Sequence, residues 1–248
     1  MKSNIEKNNS SRPKVIITGA NGGIGLSTLK KFVKNGWYIC ACVRTKSVEL
    51  NKALGNKGST YILDLSDQSS VVDCAKNIIS KEKRIDVLIN CAGIAHGSLF
   101  SMTRIEDLKN IFQVNFFAQI LFSQYIAKNM MRNKNGSIIN ISSTSSMLAD
   151  SGSLAYGCSK AALSHATRIM ATELGAFGIR VNGIAPAKVE TDMGNLMDEK
   201  SSNLLEQRAS LKGNILPENI ADLIYFLASE ESQMINGQVL RIDKGLPF

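Results

Sequence analysis

Lys14-Val15-Ile16-Ile17-Thr18-Gly19-Ala20-Asn21-Gly22-Gly23-Ile24-Gly25 decides the fold of this 248-residue chain. Four consecutive β-branched residues after Lys14 read as a strand, and the glycines stop it. Leu26, Leu29, Phe32 and Val33 then recur at helical spacing. The result is a strand, a tight loop and a helix. Gly19 permits the sharp turn, Gly23 lets the backbone approach a ligand, and Gly25 lets helix and strand pack closely. A helix opening on such a loop offers free N–H groups and partial positive charge to an anion. No Lys-Ser/Thr follows the glycines, which argues against a nucleotide-hydrolysing P-loop.

Outward from this unit, apolar runs at 37–43, 60–63, 85–89, 137–141, 179–184 and 238–242 read as strands buried on both faces. Helical patterns lie between them, near 47–54, 67–81, 104–131, 154–177 and 217–228. Strands alternating with helices predict an α/β fold: one doubly wound domain over 14–248, with a parallel seven-stranded sheet and helices on both faces. Residues 1–13 read as a flexible basic tail and 190–213 as a flexible stretch.

Composition supports an ordinary globular protein, at 44% hydrophobic and 20% charged residues, and excludes a disordered chain or a coiled-coil rod. Five cysteines, an odd number without ligand spacing, argue against a disulfide framework and a zinc site. They point to a reducing cytoplasm. No run approaches the ~18 apolar residues of a membrane span. The net charge of +8 is N-terminal, since residues 1–60 hold eleven Lys/Arg and two acids, Glu6 and Glu49. A solvated basic face accounts for this, and so does a positive field around a phosphate-rich ligand. Aromatic residues, 6% of the chain, do not interleave with the basic ones, which speaks against nucleic acid as partner.

At the end of the second strand an acid would bind a ribose 2′-hydroxyl and a base a 2′-phosphate. The chain has Val43-Arg44-Thr45-Lys46 there, which predicts NADP rather than NAD, with Arg44 on the phosphate. Farther on, Tyr156 and Lys160 stand four apart in a helical pattern and share one face. An ammonium beside a phenol lowers the tyrosine pKa toward working pH, as proton exchange with an alcohol or carbonyl oxygen requires. Ser143 closes the run 136–143 at the carboxyl end of a strand, where a doubly wound sheet forms its ligand crevice. Ser142 is the alternative, and alternation along a strand puts the two on opposite faces.

Taken together, Thr18 to Gly25, Asp64, Asn90-Cys91-Ala92-Gly93, Asn115, Ser143, Tyr156 with Lys160, and Pro186 to Thr191 resemble the short-chain dehydrogenase/reductase family. The likeness covers about residues 14–245. It implies a Rossmann domain in which Tyr156 is the general acid or base and Ser143 positions and polarises the carbonyl. Lys160 would hold the nicotinamide ribose, and Asn115 a water linking the site to solvent. It further implies that the loop, with Gly19, Asn21, Gly23, Ile24 and Gly25, cradles the cofactor. Asp64 and Leu65 would meet the adenine, Asn90 the adenosine-side ribose, and Val189 and Thr191 the nicotinamide carboxamide and the phosphates, with Ala92, Gly93 and Pro186 also bordering the cofactor. Other readings remain beside these: Asp64 as a cap of the helix starting near Asp67, Asn90 as a satisfied strand-end amide, and Asn115 as a buried polar kink. The chain departs from the family pattern at Cys91, Ala187 and Lys244, where the family carries Asn, Gly and Gly.

His96 and His165 lack partners at ligand spacing, so no metal site is expected. Phe112, Phe116, Phe117 and Phe122 crowd into one helix, and a second apolar face there predicts subunit contacts, by resemblance a homotetramer. The expected activity is hydride transfer between NADP(H) and a carbonyl or secondary alcohol, with a ketone or 3-oxoacyl thioester first. A sugar-alcohol or nucleotide-sugar dehydrogenase comes second, and a non-catalytic dinucleotide-binding regulator is the rival outside enzymology. Met193, Leu196, Met197, Leu204 and Leu205 offer a cover for an apolar substrate, or a plain amphipathic helix.

Overall fold

Strands whose residues are apolar on both faces have to lie between two layers of helices, and this chain builds that arrangement. The computed structural model describes residues 12–197 and 199–247. Its strands are β1 (Lys14–Thr18), β2 (Tyr38–Val43), β3 (Gly58–Ile62), β4 (Val87–Asn90), β5 (Gly136–Ile141), β6 (Ile179–Pro186) and β7 (Val239–Ile242). They form one sheet in the order β3-β2-β1-β4-β5-β6-β7, with every neighbouring pair parallel.

Alternation along β1 feeds a core on each side of the sheet. Val15 and Ile17 pack with Leu29 and Phe32 of α1 (Gly23–Lys34), Leu50 of α2 (Val48–Leu54) and Ile220 and Ile224 near the chain's end. Ile16 points the other way, to Val71 and Ile78 of α3 (Gln68–Lys81) and to Phe122 and Ile126. Each such side chain contributes about 1.5–3 kcal/mol on burial. Phe32 also meets Trp37 and Tyr225 edge-on, both at 5.1 Å between ring centroids.

The remaining helices are α4 (Ile105–Phe112), α5 (Ala118–Asn133), α6 (Leu154–Gly175), α7 (Glu199–Arg208) and α8 (Pro217–Ala228). Two expectations change. The helix expected over 104–131 is interrupted by a π-helical turn at Gln113–Phe117. The stretch read as flexible, 190–213, carries α7 and a short 3₁₀ turn at Gly194–Leu196. Local sequence hides α7 because its anchors are remote: Lys188 Nζ donates to Ser202 Oγ at 2.6 Å, and Lys244 pairs with Glu206. The basic tail lies, up to residue 11, outside the described residues. Among those described, no helix is long and apolar enough to cross a membrane.

Strand order reverses between β1 and β4, which opens a crevice at their carboxyl ends. Thr18 and Asn90 end the two strands there.

Candidate active site

The glycine loop leaves β1 with Gly19 at φ +66°, a left-handed conformation, and a β-carbon there would lie 2.9 Å from Ala92 Cα. Thr18 fixes this approach: its Oγ1 accepts from Cys91 N and Ala92 N, each at 3.0 Å. Gly25 is required because a β-carbon would stand 2.1 Å from the Gly19 carbonyl oxygen. Above Gly23 the corresponding space is filled by Thr191, so the glycine brings the loop after β6 down onto the glycine loop. Ile24 packs on the core shared with α1. The N-terminus of α1 has no side-chain cap and no acid in its first turn, so its N–H groups and dipole are available to an anion. Together these features fit a dinucleotide pyrophosphate.

Asn21 Nδ2 donates to the Thr45 carbonyl at 3.1 Å and ties the loop to the segment where Arg44 stands exposed. Hydrogen bonds from Ser66 hold the Asp64 carboxyl below its ordinary pKa, and the Arg44 charge adds to this. Asp64 closes a turn with Ser66, while Asp67 caps α3 through Ser69 N at 3.0 Å. The Leu65 side chain is buried in the core beneath α3, and its carbonyl accepts from Gln113 Nε2 at 3.1 Å.

Past β4, the Asn90 amide is spent inside the sheet, donating to Ser123 Oγ and Asn140 Oδ1 at 2.8 Å each. The next turn carries Ala92 and Gly93. A β-carbon on Gly93 would lie 3.2 Å from Asn115 Oδ1 and 3.4 Å from Lys160 Nζ, so both groups converge on this glycine. Asn115, fully buried in the π-helical turn, clamps Ile94 by accepting from its N and donating to its carbonyl, both at 2.9 Å. It also donates to Ser159 Oγ at 3.2 Å.

Strand β5 stops at Ile141, two residues before Ser143. The two serines beyond it diverge as alternation predicts. Ser142 turns into the protein, donating to the Lys160 carbonyl at 3.1 Å and bonding Ser164 Oγ at 2.6 Å. The Ser143 hydroxyl comes near enough to Tyr156 to lower its pKa, and it accepts from Ser145 N at 3.2 Å. Lys160, almost fully buried, donates from Nζ to the Ile141 carbonyl at 2.8 Å and lies 5.8 Å from the Tyr156 ring centroid.

The electrostatics correct one expectation. Burial raises the Tyr156 pKa above its ordinary value, and the neighbouring Ser143 hydroxyl pulls it partly back. Lys160 does not lower it in this state because its ammonium is spent on Ile141 and is itself desolvated, which brings its own pKa down to about 8. Burial likewise pushes the neighbouring Cys91 thiol up to about 12, against the pull of the Lys160 charge.

Pro186 ends β6, and the loop after it is pinned where Glu190 N donates to the Ile215 carbonyl at 2.9 Å. The Val189 side chain is buried, and Thr191 Oγ1 accepts from Gly194 N at 3.0 Å. Lys244, where the family carries glycine, takes the left-handed φ of +60°, at a cost of about 1–2 kcal/mol. His96 lies 3.9 Å from Asp107 Oδ2, His165 is exposed, and no cluster of metal-binding side chains occurs among the described residues. Phe117 is 54% exposed while Phe122 is fully buried, so this helical segment does present a second apolar face.

Two organising residues escaped the sequence reading: the Thr18 side chain and Ser159, whose hydroxyl joins Asn115 to the Tyr156 carbonyl at 2.7 Å. A hydroxyl ending the first strand, and one on the buried face between Tyr156 and Lys160, were the signals available.

A family model described as Enoyl-(Acyl carrier protein) reductase matches residues 19–247. A 3-oxoacyl-[acyl-carrier-protein] reductase of Thermotoga maritima is 34% identical over 236 residues, covering 93% of this chain and 96% of the relative. Momilactone A synthase of rice, Oryza sativa subsp. japonica, is 33% identical over 242 residues, covering 93% and 88%. Among solved structures, a candidate NAD(P)-dependent gluconate 5-dehydrogenase from Beutenbergia cavernae, with NADP bound at low occupancy, superposes with a TM-score of 0.89. It is 26% identical, over 94% of this chain and 96% of that one.

Proposed function

The chain belongs to the short-chain dehydrogenase/reductase family, and on that premise we propose that it reduces a ketone or 3-oxoacyl thioester with NADPH. The observation that carries this is the Ser143–Tyr156 hydroxyl pair at the carboxyl end of β5, with Lys160 and Gly93 beside it. The 3-oxoacyl reductase relatives support the substrate class. The matching family model is described by a reductase of carbon–carbon double bonds, but two adjoining hydroxyls suit protonation of an oxygen, so we assign a carbonyl.

The cofactor, when bound, supplies the hydride to the carbonyl carbon. Ser143 Oγ donates to the carbonyl oxygen and polarises it. Tyr156 Oη delivers its proton to that oxygen as the alcohol forms, and burial keeps the phenol protonated until then. Lys160 holds the nicotinamide ribose and supplies positive charge behind the tyrosine. Asn115 positions Ile94 and, through Ser159, the first turns of α6. The helix start at Gly23 takes the pyrophosphate, with Gly19, Asn21, Ile24 and Gly25 shaping the loop. Arg44 takes the 2′-phosphate; its exposure and the NADP in the Beutenbergia structure support this preference over NAD. Asp64, Leu65, Asn90, Ala92 and Gly93 border the adenosine half through side chain or backbone, and Pro186, Val189 and Thr191 the nicotinamide. We place this activity in the cytoplasm and in a homotetramer, with the exposed Phe117 face as a subunit contact, and assign 14–248 to one functional domain.

Oxidation of a sugar acid or polyol is the second reading, favoured by the gluconate dehydrogenase neighbour. A single-turnover assay of NADPH fluorescence against 3-oxoacyl thioesters, ketones and keto-sugars tests both. Decay with the thioesters or ketones is expected. No decay with any carbonyl would leave a protein that only holds the dinucleotide.

A further inference from the structure

Helix α7 has little of its own to hold it. A helix of 10 residues is marginal in water, and of its two leucines Leu204 is 52% exposed while Leu205 alone turns inward. Polar ties from elsewhere in the chain therefore decide where it sits. The segment after β7 supplies several. Lys244 Nζ pairs with the Glu206 carboxylate and donates to the Gly213 carbonyl at 2.7 Å, and Arg208 Nη2 donates to the Pro247 carbonyl at 3.3 Å. The same segment straps the connection that leaves the helix: Leu211 N donates to the Lys244 carbonyl at 2.9 Å, and Ser210 Oγ to the Gly245 carbonyl at 3.1 Å.

This strap presses α7 on the turn that Ser143 begins. Leu205 packs with Leu148, and Leu246 of the strap joins them together with Ala209. Leu148 N donates to the Thr144 carbonyl at 2.9 Å, Ser146 N donates to the Ser143 carbonyl at 3.0 Å, and Ser143 Oγ caps the turn through Ser145 N. Residues 143–148 are thus one hydrogen-bonded unit, and a displacement of α7 unpacks its far end. Within the strap, Lys244 holds a left-handed φ of +60° that glycine adopts freely, yet its side chain is only 15% exposed. A glycine there would relieve the backbone but could not reach Glu206.

We propose that Lys244, through Glu206, is a positioning residue for carbonyl reduction: it keeps α7 packed on the turn that carries Ser143. The inference rests on the carbonyl-reductase reading and adds a control on substrate binding. If only a fraction of molecules hold α7 in place, the apparent KM rises by the inverse of that fraction, whereas kcat, read with substrate bound, is kept.

The test uses the full chain with NADPH and ethyl acetoacetate, a small 3-oxo ester. Lys244→Met removes the pair and should raise KM about tenfold, with kcat and the NADPH Kd within about twofold. Tenfold is about 1.4 kcal/mol, which one charge-assisted hydrogen bond can supply. Lys244→Arg should restore the wild-type KM. Glu206→Gln should reproduce the rise, and adding it to Lys244→Met should change little, since both remove one interaction. Lys244→Gly, free of the left-handed strain, should give the same rise even if Lys244→Met folds poorly. Hydrogen exchange at 199–208 and 143–148 reads the strap without turnover and should quicken about tenfold in Lys244→Met. Quickened exchange in a protein that reduces no carbonyl would sink the reductase reading and keep the strap. An unmoved KM, or a loss that falls on kcat and NADPH binding alike, would overturn the positioning role while the reductase reading stands.

Discussion

Thr191 rests on Gly23 so closely that a β-carbon on the glycine would stand 2.3 Å from the threonine Cγ2. The loop after β6 and the glycine loop are therefore one packed unit. Neither can shift without the other.

Gly23→Ala should displace Thr191 at a cost of about 1–3 kcal/mol, the usual range for overpacking, and weaken NADPH binding. Fluorescence titration should show recovery in Gly23→Ala/Thr191→Gly, where the obstructing side chain is gone. An additive double variant would mean that Gly23 is needed for another reason.

Tyr156→Phe keeps the ring and removes the proton donor. Turnover should fall about a hundred to ten thousandfold, with NADPH affinity near wild type. Retained turnover would remove the proton-transfer role.

Arg44→Ala should weaken NADPH by about tenfold or more and NADH by much less, since only the former carries the 2′-phosphate. Equal losses in paired binding titrations would exclude Arg44 as the phosphate partner.

Lys160 has a folded pKa of about 8, below its ordinary 10.5. Between those values the unfolded chain holds more protons at this position, so its contribution to stability rises with pH across that window. Lys160→Met lacks this rise. The stability of wild type relative to the variant, from denaturant melts at pH 7.5 to 10.5, should therefore climb as pH increases. For catalysis, wild-type reduction should decline above about pH 8 as the ammonium is lost. Lys160→Arg, still charged, should lack that limb in a pH–rate profile.

Asn115→Ala would strand the Ile94 N–H and carbonyl that the amide now satisfies. Thermal melts should report a loss of about 1–3 kcal/mol, and the turn at Gln113–Phe117 should relax toward an α-helix.

Periodicity alone determined the seven strands, their parallel arrangement and the two helical layers, because a strand buried on both faces has to be apolar throughout. The glycine loop and the Tyr156–Lys160 spacing were legible because both are local: a turn and one helical repeat fix them. Tertiary structure decided the rest. The π-helical turn exists where Asn115 meets the main chain of Ile94, 21 residues away. Helix α7 owes its place to Lys188 and Lys244, side-chain contacts that hydrophobic periodicity does not register, the second of them 38 residues from its partner Glu206. The pKa of Lys160 follows from burial, which belongs to the packed interior, and burial likewise raises the phenol's pKa where the spacing alone predicts that it falls.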